Sequence, residues 1–168
     1  MSKYIHRLGY IMICASVFAP WSIANAATEG QLLLVAGPHS SVLYAAGAEF
    51  EGSDKTSFSA RVGGFSYSYT DGSYWEDGNG TILGVTGKFY AQQSMEGMFF
   101  GAGIDYIDGE ATFAGGYTSY SGVAPHAMIG YKIRNGDLSF EPNLYVEMIQ
   151  GEDVSTLVGL GVTVGVPF

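Results

Sequence analysis

The chain has 168 residues, 47% hydrophobic, 14% aromatic and only 14% charged, with 25 glycines and a formal net charge of −9. Its length predicts one folded domain, and its hydrophobic content excludes intrinsic disorder. Seven lysines and arginines against 16 acidic residues cannot neutralise a row of phosphates, which excludes nucleic acid as a partner.

Residues 1–26 read as a secretory signal peptide. Lys3 and Arg7 precede an apolar run from Leu8 to about Ile23, and Ala24-Asn25-Ala26 supplies an A-x-A cleavage pattern. The run is short for a spanning helix, contains Pro20 and has no basic stop-transfer cluster behind it. The single cysteine, Cys14, lies inside it behind Ile13 rather than a small residue, so lipidation is not expected. The remaining domain, 27–168, keeps five basic residues (Lys55, Arg61, Lys88, Lys132 and Arg134) and all 16 acidic ones, a formal charge of −11. Without disulfides it must be held by its core or by closure of a sheet.

From residue 27 onward apolar residues recur with period two, and no stretch sustains a 3.6-residue period. Eight strands are predicted, at 29–37, 41–51, 56–69, 81–91, 98–109, 123–133, 138–149 and 156–168. The first contains Leu32-Leu33-Leu34-Val35, which does not alternate. In the second, Val42, Tyr44, Ala46, Ala48 and Phe50 oppose Leu43, Ala45, Gly47 and Glu49. In the third, Phe58, Ala60 and Val62 share a face while Phe65, Tyr67 and Tyr69 are offset by one, which predicts a bulge at Gly63-Gly64. In the fourth, Leu83, Val85 and Phe89 oppose Gly84, Thr86 and Lys88. In the fifth, Met98, Phe100, Ile104 and Tyr106 oppose Phe99, Gly103 and Asp105. The sixth sets Val123, Pro125, Ile129 and Tyr131 against His126, Met128 and Lys132. The seventh sets Leu138, Phe140, Pro142, Leu144 and Val146 against Glu141, Asn143, Tyr145 and Glu147. The last has Val158, Leu160, Val162, Val164, Val166 and Phe168 on one face and small residues on the other. Proline removes a ladder hydrogen bond, so bulges are expected at Pro125 and Pro142.

In each segment whose faces are compared above, the charges fall on one face, and the opposite face is apolar or small. Apolar side chains looking at lipid and polar ones looking into a narrow lumen account for this better than a soluble sandwich does. The connections Gly52–Lys55, Gln92–Gly97 and Arg134–Asp137 are short, and Asn135-Gly136 is a tight-hairpin signal. Thr70–Gly80, Glu110–Gly122 and Gln150–Ser155 read as longer loops at the opposite end, where the connection around Pro38-His39-Ser40 is short. The aromatics Tyr44, Phe50, Tyr67, Tyr69, Phe89, Tyr106 and Tyr131 fall near strand ends, as in the girdles at membrane boundaries. The fold class is therefore all-β: an eight-stranded antiparallel up-and-down transmembrane β-barrel over 27–168, behind a cleavable signal peptide.

On this signal peptide, strand count, loop rhythm and terminal strand, the chain resembles the small eight-stranded outer-membrane proteins of the OmpA/OmpX type. The resemblance implies an outer-membrane location in a Gram-negative cell and contact with outer-membrane lipid and lipopolysaccharide. It also implies folding by the barrel assembly machinery, whose signal would be Leu160, Val162, Val164, Val166 and the terminal aromatic Phe168. A structural or surface-interaction role follows, with no catalysis, cofactor or metal expected and a surface partner reached through the loops.

The inward positions carry Glu49, Arg61, Lys88, Asp105, His126, Lys132, Glu141 and Glu147. An eight-stranded lumen is just wide enough for side chains, so these charges must pair. Counting up from the short turns places Glu49, Arg61, Lys88, Lys132 and Glu141 low, and Asp105, His126 and Glu147 higher. The primary reading is a salt-bridge network that plugs the lumen. A second takes Asp105, His126 and Glu147 as a triad, with two carboxylates around one imidazole able to hold a divalent metal. A third is a lipid A-modifying enzyme using His39 or His126, though no His-x-Ser-Asn-like element and no amphipathic helix before Gln31 is present. A soluble periplasmic ligand-binding barrel is the fourth; it calls for a charged outer face, which the alternation lacks. Asp71–Gly80 is an acidic, aromatic stretch whose Asp77 and Asn79 do not complete a calcium loop.

Overall fold

Eight stretches in which side chains alternate across the backbone become eight strands in the computed structural model, which describes residues 28–150 and 154–167. They are β1 (Thr28–Ala36), β2 (Val42–Ser53), β3 (Thr56–Asp71), β4 (Tyr74–Tyr90), β5 (Gly97–Phe113), β6 (Gly116–Asn135), β7 (Leu138–Gln150) and β8 (Val154–Pro167), with one 3-10 turn at Gln93–Met95. Each strand pairs antiparallel with the next, and β1 pairs with β8 from Glu29↔Pro167 to Ala36↔Leu160, which closes the ring. Closure leaves no free sheet edge, so the backbone amides and carbonyls of the wall bond to one another rather than to solvent. The signal-peptide segment 1–26, the assembly-signal residue Phe168 and the tip of the β7–β8 connection lie outside the described residues.

The two ends differ. One, here the turn end, carries Thr28, Pro167 and the short connections at 54–55, 91–96 and 136–137; the other is the loop end. There the structure replaces two expected loops with strand. β3 and β4 run on to a two-residue turn at Gly72-Ser73, and β5 and β6 to one at Ala114-Gly115. Their ladders continue unbroken through Asp71↔Tyr74 and Phe113↔Gly116. Turn-forming residues in these stretches signal the tip, while backbone pairing carries the strands up to it.

The bulge expected at Gly63-Gly64 is absent. The register runs without a shift from Val62↔Leu83 through Gly63↔Ile82 and Gly64↔Thr81 to Phe65↔Gly80. Phe65 is buried and Tyr67 and Tyr69 are half-buried on the inner face, so the last two are not girdle residues. The phase of the sequence changes because the surroundings change. The outward row Val62, Leu83, Tyr106, Val123 is apolar and exposed. The next outward row is Gly64, Thr81, Asp108, Ser121. Below this line the outside is apolar and the inside largely polar; above it the outside is mostly polar, with Trp75 and Tyr117 its exposed aromatics, while Phe65, Tyr67, Tyr69 and Tyr120 turn inward. The line marks the loop-end border of an apolar belt that includes Leu32, Leu34, Val85, Phe89, Phe100, Ile104, Ile129, Leu144 and Leu160, each exposed.

The bulges expected at Pro125 and Pro142 are also absent. The β6–β7 ladder starts at His126↔Glu147, just below Pro125, and omits Tyr131 and Lys132, which face Pro142 and Glu141, while the register on either side is unchanged. Missing N–H groups thin this seam of the wall without adding a residue to it. The one register shift in the described residues lies at Glu51/Ser53.

If the belt faces lipid, a charge at its middle is expensive and the same charge above its border is not. Val85→Arg should lower the unfolding free energy in phospholipid vesicles by about 2–4 kcal/mol, and Asn79→Arg by less than about 1 kcal/mol. Equal losses in denaturant titrations would refute the placement of the belt.

Candidate functional site: the charged lumen

Inward positions on successive strands converge, and the eight charged residues expected in the lumen are all buried there. They form two clusters.

The cluster near the turn end centres on Lys132. Its Nζ lies 2.7 Å from Glu29 Oε2, 2.6 Å from Glu49 Oε2 and 3.1 Å from Glu141 Oε1. Lys88 Nζ bridges Glu141 at 2.6 Å and Glu49 at 3.0 Å. Glu49 also accepts hydrogen bonds from Ser57 (2.5 Å), Tyr90 (2.8 Å) and Gln31 (2.8 Å). Arg134, at the rim, stands 3.9 Å from Glu29. Oxygens of Glu29, Glu49 and Glu141 lie within 4.8 Å of one another, a spacing that suits a metal ion. The Lys132 ammonium already contacts all three carboxylates, so the cation of this cluster is the protein's own.

The second cluster is built on Asp105. Arg61 donates to it twice, Nη2 to Oδ2 at 2.5 Å and Nε to Oδ1 at 3.2 Å, the bidentate fork that suits a guanidinium. Arg61 and Asp105 occupy one cross-strand row with Gly84 between them. A Cβ at Gly84 would collide with Asp105 Oδ1, so the glycine is what lets the pair meet. A Cβ at Gly103 would lie 2.6 Å from His126 Nε2. His126 Nδ1 is 2.9 Å from Asp105 Oδ2, and its Nε2 is 2.8 Å from Thr86 Oγ1. Tyr145 accepts from Arg61 at 2.5 Å, and its hydroxyl lies 3.2 Å from Asp105 and 3.3 Å from Glu147. Its ring stacks on His126 with centroids 5.6 Å apart.

This arrangement corrects two expectations. Arg61 belongs with Asp105 and not with the lower group, because its long side chain reaches across Gly84. His126 sits between Asp105 and Thr86, not between two carboxylates; Glu147 meets Tyr145 instead. Sequence reasoning left Glu29, Gln31, Thr86, Tyr90 and Tyr145 out of the network, although Gln31, Thr86, Tyr90 and Tyr145 each lie in phase with a charged inward residue of their own strand; Glu29 is the one charge of β1, whose apolar run does not alternate.

Thr86, His126 and Asp105 have the connectivity of a nucleophile, base and orienting acid. Thr86 is only 2% exposed, and the adjoining void of about 20 Å³ is room for about one water molecule. No substrate reaches that hydroxyl, and the geometry supports a plug. His39, the other candidate base, lies in a reversal in which His39 and Ser40 take φ of 56° and 53° and Ser41 N–H donates to Pro38 O at 3.1 Å. Its ring meets Tyr69 edge-on at 4.9 Å.

Above the plug, at the loop end, lies a cavity of about 670 Å³. Its wall includes Tyr67, Tyr69, Tyr74, Tyr120 and Glu76. Tyr67 and Tyr74 both donate to Glu76 at 2.6 Å. The Glu76 carboxylate hydrogen-bonded to Tyr74 raises that phenol's pKa.

Solved structures share the architecture. The N-terminal β-barrel domain of Pseudomonas aeruginosa OprF aligns with a TM-score of 0.61 at 13% identity, over 83% of this chain and 96% of that one. Neisserial surface protein A aligns at 0.58 and 11% identity, over 85% and 96%. Ail, the attachment invasion locus protein of Yersinia pestis, in complex with the heparin analogue sucrose octasulfate, aligns at 0.54 and 12% identity, over 85% and 97%. No protein-family profile and no curated protein matches the sequence. The chain has the fold of the eight-stranded outer-membrane β-barrels.

Removing one partner of a buried ion pair strands the other. Arg61→Ala and Asp105→Ala should each lower stability by about 3–5 kcal/mol, and the double variant by clearly less than the sum. Additive losses in urea titrations of the folded barrel would show that the two groups are not coupled.

Proposed function

We propose that this chain is an integral outer-membrane protein, a closed and plugged barrel that holds its loop-end hairpins at the cell surface in a structural or surface-contact role without catalysis. The observation that carries this is the inverted distribution of polarity: an exposed apolar belt around a lumen filled with paired charges. Water favours the reverse arrangement, and lipid favours this one. The resemblance in fold to outer-membrane barrels supports the same reading.

In this reading residues 1–26 are removed on export. The outward residues Leu160, Val162, Val164 and Val166 of β8, followed in sequence by Phe168, are the signal that the assembly machinery recognises. The loop end faces the cell exterior. Of the five basic residues after position 27, Arg61, Lys88 and Lys132 are buried in the lumen, while Lys55 and Arg134 lie at the turn end. The described loop end therefore offers Asp71, Glu76, Asp77, Asp108 and Glu110 with no basic side chain among them. Ail was solved with a sulfated ligand; among the described loop-end residues no lysine or arginine offers direct pairing of that kind. Contact with lipopolysaccharide phosphates would run through bridging divalent cations, and a protein partner would be basic.

The orientation is testable because the domain has no cysteine of its own. In intact cells a membrane-impermeant maleimide should label Ser73→Cys and leave Asp137→Cys unlabelled until the membrane is permeabilised. The reverse pattern would overturn the topology. The protein should also shift in mobility on boiling in SDS and fail to adsorb to immobilised heparin.

A further inference from the structure

The lower lumen is filled, but the loop-end cavity is open and its chemistry is one-sided. Its volume of about 670 Å³ falls within the range of about 300–1,000 Å³ typical of small-molecule sites. Aromatic side chains from three strands supply ring surface: Phe65, Tyr67 and Tyr69 from β3, Tyr74 from β4 and Tyr120 from β6. The close packing of Tyr67 against Gly78 requires glycine on β4, since a Cβ there would strike the ring. Two carboxylates border the cavity, Glu76 in its wall and Glu147 at its floor; among the described residues no lysine or arginine lines it, and the one imidazole there, His39, packs edge-on against Tyr69.

Glu147 carries the argument. It is 1% exposed, and its Oε1 has no hydrogen-bond partner. Beneath it the guanidinium of Arg61 is committed to Asp105 by two hydrogen bonds. Among the described residues no cation forms an ion pair with Glu147, which borders the cavity, accepts from Tyr145 on one oxygen and has no donor on the other. A buried carboxylate oxygen without a donor is costly, and a donor arriving from the cavity would satisfy it.

We propose that this cavity binds an organic cation: a small molecule with an ammonium group on an apolar or aromatic body. The ammonium would lie between the tyrosine ring faces, which attract cations, and the carboxylates of Glu76 and Glu147. The body would lie against Phe65, Ile107 and Leu157. An anionic ligand is disfavoured by both carboxylates, and a neutral one without a donor group leaves Glu147 Oε1 unpaired.

The experiment titrates the full barrel, folded in nonionic micelles, with a fluorescent dansyl-linked primary alkylammonium, whose N–H groups can donate to Glu147. A dansyl-linked neutral analogue with a methyl group in place of the ammonium is the control. The expected result is saturable binding of one cation per chain, with the neutral analogue weaker by about tenfold or more. Glu76→Gln, which lies outside the lumenal network, and Glu147→Gln should each weaken the cation by a similar factor and leave the analogue unchanged. Ala111→Phe, which fills the cavity from β5, should abolish binding. The boiling-dependent mobility shift checks that every variant remains a closed barrel. Absence of saturable binding, equal affinity for the two compounds, or unchanged affinity in both glutamine variants would each overturn the proposal. The mobility shift and the maleimide pattern are independent of these outcomes, so failure here leaves the membrane reading intact.

Discussion

Closing a ring with only eight strands is the constraint on which the rest of this structure depends. The ring pairs nearly all of the wall's backbone, the β6–β7 seam at its two prolines excepted, and so permits a belt that presents apolar side chains to its surroundings. It also fixes the interior at a width that side chains can just span. Whatever points inward is cut off from bulk solvent and must find a partner across the lumen. That is why residues as distant in sequence as Glu29 and Lys132, or Arg61 and Asp105, are direct neighbours. Ion pairs of this kind add little net stability over an apolar filling, because desolvation offsets their attraction. They specify register instead: a slip of one residue in any strand would turn its charges toward the belt and its apolar side chains toward the charged plug.

Side-chain size completes the fit. Arg61 and Asp105 meet because Gly84 is absent as an obstacle, and His126 fits because Gly103 faces it. Glycine on one strand and a long or aromatic side chain on the next recur up the barrel, as at Gly80 beside Phe65 and Gly109 beside Tyr120. The high glycine content is thus a consequence of filling a narrow tube from all sides.

Much of this was legible in the sequence, and the reasons for the misses are physical. Period-two alternation is a local property of the strand, so the eight strands and the inward identity of Glu49, Lys88, His126 or Glu147 can be read without knowing partners. Partnership is not local. That Arg61 belongs to Asp105, and that His126 rests on Thr86 rather than Glu147, depends on side-chain reach and on an intervening glycine two strands away. Gly63-Gly64 misleads for a different reason. The rule that the outside is apolar holds only where the outside is lipid; once the wall rises above the belt, the same alternation inverts its meaning, and an inversion of polarity looks like an inserted residue. The Asp71–Gly80 stretch misleads similarly, because polar, glycine-rich composition describes a strand facing water on its outer side as well as it describes a loop.

The same inversion explains why the barrel is sealed below and open above. Inside the belt, the lumen holds polar groups that long charged side chains from opposite walls can pair across, as Lys132 and Arg61 do. Above the belt, the outer face already meets the need for solvation, with Asp108, Asp77 and Asn79 pointing outward. The inner face is then free to carry aromatics. Rings from β3, β4 and β6 are bulky but cannot pair away a charge from below, so the topmost carboxylate of the plug, Glu147, is left at the junction of the two regimes. A filled tube and an open cup are therefore produced by one alternating pattern, and the floor of the cup is the topmost carboxyl group of the tube beneath it.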